Sequence, residues 1–172
     1  MLKRSIAILL ALCALGCCLL PAAAQQPTGT IRVHLRSDVA GLNEDDTDML
    51  LTLSTDTVYC SSVLIADYAG TQESGALVAG RTYTAYYSFK AADGYELPEA
   101  LTEGDVEITC DKGVTVYAVQ RTVSAVRNEN GEMRDDPSVR IYAEIVVDGN
   151  PAQRIFGWIY DLILKIKAWS LY

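Results

Sequence analysis

The sequence predicts an all-β fold, an antiparallel β-sandwich of about seven strands, followed by a C-terminal amphipathic helix. Three observations carry this expectation. Segments rich in Val, Ile, Thr and Tyr recur roughly every 10 to 15 residues, with Gly, Asp and Asn between them. Within those segments apolar and polar side chains alternate, as on a strand with one buried face. Beyond residue 151 the period changes from two to three or four, the period of a helix.

Residues 31–36 (Ile-Arg-Val-His-Leu-Arg) alternate cleanly and form the first predicted strand. An acidic loop follows at 41–48, and residues 49–53 and 58–66 read as strands. Residues 69–75 are a turn. The clearest central strand is 82–89, with Tyr83, Ala85, Tyr87 and Phe89 on one face and Thr82, Thr84, Tyr86 and Ser88 on the other. Asp93-Gly94 supplies a turn. Residues 105–110 alternate again, with Val106, Ile108 and Cys110 inward; a tight Asp111-Lys112-Gly113 connection leads to a strand at 114–119. Two further strands, 123–127 and 139–147, flank a polar tip at 128–136.

The stretch from Gly80 to Pro98 holds a Tyr83-Thr84 strand that runs into Ala91-Ala92-Asp93-Gly94-Tyr95. Over about residues 77–119 this resembles the bacterial immunoglobulin-like (Ig-like) domains of exported and cell-surface proteins. The resemblance implies an Ig-like sandwich and a surface location, and it brings no functional residue with it.

The chain opens with Lys3-Arg4, an apolar run at 6–20, and Ala22-Ala23-Ala24 before Gln25. That is the layout of a secretory signal peptide with cleavage after Ala24. Ala14-Leu15-Gly16-Cys17 offers a second reading, a lipoprotein signal with lipid on Cys17, although it carries Ala14 where leucine is usual. The expected organisation is a signal peptide at 1–24, the sandwich at 25–150 and the helix at 151–172. The expected location is extracytoplasmic, secreted or at the cell surface.

Without its first 24 residues the chain keeps 12 basic and all 22 acidic residues, a net charge of −10. Such a surface repels the phosphate backbone, so no nucleic-acid partner is expected. Of five cysteines only Cys60 and Cys110 then remain. In an oxidising compartment they are expected to form one disulfide, closing a loop of about 50 residues for a gain on the order of 4 kcal/mol. Two buried thiols in the core wall are the alternative.

The tail is unlike the rest. Arg154, Gly157, Asp161, Lys165 and Ala168 trace a narrow polar stripe, with Asp161 and Lys165 spaced for an i,i+4 pair. Asn150 and Pro151 suit its N-cap and first turn. Nearly everything else is large and apolar, and Phe156, Trp158, Ile159, Leu162, Ile163, Ile166 and Trp169 are the expected contact residues. Three cations against one anion give the segment a charge of +2, against −12 for the remainder of residues 25–172. A wide apolar face with Trp and Lys suits a membrane interface. Packing along the sandwich, or contact with a protein partner or a second copy, are the other destinations.

No catalytic, cofactor or metal site is predicted. His34 is the sole histidine and sits on the polar side of its strand, which leaves a triad nothing to build on. Residues 43–48 gather four carboxylates but lack the glycine and distal glutamate of a calcium loop. Tyr86 and Tyr142 are the candidates for an exposed sugar-stacking pair. The expected function is therefore a non-catalytic exported protein presenting a binding or structural surface at the cell envelope, held near the membrane by its helix. A carbohydrate-binding or accessory module of an extracellular enzyme system is the second reading, with a glycan as the partner.

Overall fold

A computed structural model describes residues 25–72 and 75–170. The expected signal peptide and its Cys17 lie outside the described residues, as do Glu73, Ser74 and the last two residues. The chain is mostly β, with several sheets and a C-terminal helix.

Seven strands build the two principal sheets. β2 (Ile31–Leu35), β3 (Leu51–Leu53) and β7 (Val106–Cys110) form one, in the order β3-β2-β7. β4 (Val58–Asp67), β5 (Thr82–Ala91), β8 (Val114–Arg127) and β9 (Met133–Val146) form the other, in the order β4-β5-β9-β8. A pair of two-residue strands, β1 (Gln26–Pro27) and β6 (Tyr95–Glu96), closes one end.

Alternation sets which side chains meet. Ile31, Val33 and Leu35 of β2 share one core with Tyr83, Ala85, Tyr87 and Phe89 of β5 and Val139, Ile141, Ala143 and Ile145 of β9. The inner faces of the two sheets thus bury each other, as in a β-sandwich. Burying one large apolar side chain contributes about 1.5–3 kcal/mol, so the β5–β9 face is the main source of cohesion. Its register is continuous from Thr82↔Val146 to Phe89↔Val139.

Four expectations need correction. The sandwich is not wholly antiparallel: β2 runs parallel to β7, with Ile31 opposite Val106. Alternation fixes a strand's buried face but not its neighbour's direction. Met49 and Leu50 are not strand; they close a short helix, α1 (Thr47–Leu50), and only Leu51–Leu53 pairs. The acidic loop folds back on its own backbone there, with the Asn43 amide donating to Asp46 Oδ2. Residues 120–122 do not break a strand, so β8 is continuous from Val114 to Arg127, with a bulge between Val116 and Ala118. Finally, the polar tip is only 128–132, because Met133 to Asp136 already pair with β8. Met133 to Asp135 are exposed and Asp136 is half-buried, so they show no alternation to read.

Helix α2 (Pro151–Trp169) starts as the sequence predicts. The Gln153 amide donates to the Asn150 side chain, and the Asn150 amide donates to Gln153 Oε1. This capping box satisfies two otherwise unpaired donors.

Candidate functional site

Helix α2 reverses the usual rule for a surface helix. Its narrow polar stripe faces the protein, and its wide apolar face is bare.

Two glycines bring the backbones together. Gly157 lies against Gly80, and a methyl group on Gly157 would overlap the Gly80 carbonyl. Gly80 has φ +84°, which favours glycine, and a side chain there would collide with Gln153. One turn beyond Gly157, Asp161 is 5 % exposed. Its Oδ2 accepts from the Thr82 amide at 2.9 Å, and its Oδ1 lies 3.4 Å from Arg81 Nε. The Arg81 guanidinium in turn stacks between Tyr83 at 5.0 Å and Tyr160 at 4.4 Å. A buried ion pair of this kind costs desolvation, and its hydrogen bonds offset that cost only in a fixed geometry. It therefore sets the helix's orientation more than it glues the helix down.

The expected Asp161–Lys165 pair is not made. Asp161 is taken by Arg81 and Thr82, and Lys165 Nζ instead lies over the rings of Tyr68 (5.3 Å) and Trp169 (5.6 Å). Desolvating Asp161 in the dock rewards the partner that is already buried beside it.

All seven residues named from the sequence for contact are exposed: Phe156, Trp158, Ile159, Leu162, Ile163, Ile166 and Trp169. Phe156 and Trp169 keep 71 % of their surface in the open, and Trp158 keeps 65 %. At about 200 Å² for a large aromatic side chain, those three alone expose on the order of 400 Å². An exposed apolar surface of this size is often a functional one. Among the described residues no helix is long and apolar enough to cross a membrane.

No family model, curated protein or solved structure matches the chain.

The cysteines stand as free thiols, not the bridge expected from their number. Cys60 lies on β4 and Cys110 on β7, the outer strands of opposite sheets. The Cys60 thiol turns to the Ser62 carbonyl at 3.5 Å, at the bulge in β4. Burial pushes Cys60 up to about 11 and raises Cys110 as well. Between the sheets the Tyr87 hydroxyl is buried with no hydrogen-bond partner among the described residues, and burial, then both thiols, raise its pKa. Counting cysteines identifies a pair but not its surroundings: Cys110, expected to face inward on its strand, is exposed.

His34 sits across from β7, with Nδ1 2.9 Å from Thr109 Oγ1 and Nε2 3.0 Å from Asp111 Oδ1. Tyr86 and Tyr142 meet edge to face, at 5.2 Å between centroids and 89° between planes. That is not a flat platform for a sugar ring, and the Tyr142 hydroxyl is occupied by Gln120 Nε2.

Sequence reasoning missed Gly80 and Arg81 altogether. The one signal was a glycine inside an otherwise helical run, Gly157, which costs about 1 kcal/mol against alanine unless close packing requires it.

Proposed function

We propose that this is an exported, non-catalytic Ig-like β-sandwich protein that presents a binding or structural surface at the cell envelope. Helix α2 holds it at the membrane interface. The single observation that carries this reading is the inverted helix: its polar stripe is spent on the sandwich, and Phe156, Trp158, Ile163, Ile166 and Trp169 face outward.

Several features support a lipid surface as the occupant. Both tryptophans of the chain lie on α2, together with the exposed Lys167. Indole and the lysine stem both suit the headgroup boundary. A helix of 19 residues lying flat spans about 28 Å, so its whole face can contact the interface at once. If half of the roughly 400 Å² above leaves water, the transfer gains about 5 kcal/mol at 25 cal/mol per Å². That is enough for reversible attachment and far from permanent insertion. The pattern likeness over residues 77–119 supports the Ig-like assignment, and Lys3-Arg4 with the apolar run and Ala22 to Ala24 supports export.

Cell fractionation tests this reading. The full chain is expected in the membrane fraction, and the chain lacking residues 151–172 in the medium. Equal release of both forms would contradict the attachment.

A further inference from the structure

We propose that the cleft at the end of the four-stranded sheet remote from α2 binds an uncharged, hydroxyl-rich glycan. β5 begins at Thr82 beside Asp161 and ends at Ala91 in the cleft, so the two sites lie about 30 Å apart. A membrane-seated helix would thus hold the cleft away from the bilayer.

Pairing of β5 with β9 stops at Phe89↔Val139, two residues short of Pro137, which has no amide hydrogen to offer β5. β9 and β8 then run on alone as a two-stranded ribbon to Met133 and Arg127. Lys90 Nζ on Asp136 Oδ2 (2.6 Å) and Thr122 on Ser138 (2.8 Å) pin its base. Beneath the ribbon is a space of about 690 Å³, in the range of ordinary ligand sites.

Its lining selects the ligand. Arg121 lines this space, and its Nε is buried with no hydrogen-bond partner among the described residues, a rare condition. Tyr59, exposed by 49 %, and Tyr95 offer ring surface for the C–H face of a sugar. Five carboxylates against three cations disfavour phosphate or other anions, and the polar walls disfavour an acyl chain. Hydroxyl groups can both donate to the carboxylates and accept from Arg121.

The test is an array of neutral and acidic oligosaccharides alongside immobilised peptides, probed with the folded chain. A neutral glycan is expected to be retained, and Arg121→Met and Tyr59→Ala are each expected to weaken binding roughly tenfold or more, about 1.4 kcal/mol. Tyr117→Ala, exposed outside the cleft, is expected to leave it unchanged. Should Arg121→Met fail to fold, the surface variant Tyr59→Ala decides. Retention of peptides alone, of no glycan, or of the same glycan equally by wild type and Tyr59→Ala would overturn the proposal.

Discussion

Gly157 of helix α2 lies backbone against backbone on Gly80, and a methyl group on it would occupy the space of the Gly80 carbonyl. This contact decides which side of the helix faces the sandwich. With the small stripe inward, the large side chains have only the outside left.

Gly157→Ala should therefore destabilise the protein by about 1–3 kcal/mol, the usual cost of overpacking. In a free helix the same change would stabilise by up to about 1 kcal/mol. Thermal denaturation reads the sign, and limited proteolysis should show earlier cleavage within residues 151–170.

Arg81 and Asp161 should behave as a coupled pair. Asp161→Ala removes the buried carboxylate that accepts from the Thr82 amide and faces Arg81, and should cost about 2–4 kcal/mol. Arg81→Met and Asp161→Ala together should cost less than the sum of the two single changes. A double-mutant cycle with additive costs would mean that the pair does not interact.

Both halves of this dock were partly legible in the sequence. The stripe of Arg154, Gly157, Asp161, Lys165 and Ala168 is plain, because helical period is a local property. Its direction was not, because a polar stripe ordinarily faces water and the partner groups, Gly80 and Arg81, lie some 70 to 80 residues away. The strands show the same division. Tyr83 to Phe89 on β5 and Val139 to Ile145 on β9 alternate cleanly because a core covers one face. The ribbon of β8 and β9 has no such face, so alternation does not mark its extent. The parallel partnership of β2 with β7 depends on chain crossover, which alternation does not encode.

The cysteines predict a pH dependence. Burial raises Cys60 from 9.0 to about 11 in the folded protein, so the folded state keeps its proton where the unfolded chain loses it. The stabilising contribution is fully present below pH 9 and is lost as pH rises towards 11. Urea denaturation from pH 8 to 11 should show a falling midpoint, with a shallower fall in Cys60→Ser. Under native conditions near pH 8, iodoacetamide should modify the more open Cys110 faster than Cys60, and no reductant should be required.

Ionic strength should separate helix from sandwich. At about 0.01 M salt the Debye length is about 30 Å, so the acidic sandwich is felt by an anionic membrane. At about 0.1 M it is about 10 Å, and only the +2 helix is close enough to count. Binding to anionic vesicles should therefore strengthen over that range, while binding to zwitterionic vesicles stays nearly flat. Co-sedimentation measures both.

Tryptophan emission tests the bare face most directly, because Trp158 and Trp169 are the chain's only two and both lie on α2. Adding vesicles of phosphatidylglycerol and phosphatidylethanolamine to the folded protein should shift the emission to the blue. Ile163→Glu should abolish that shift and leave the unfolding free energy within about 0.5 kcal/mol of the wild type, as for an exposed position. An emission maximum unmoved by lipid, with the sandwich intact, would contradict the membrane-facing helix.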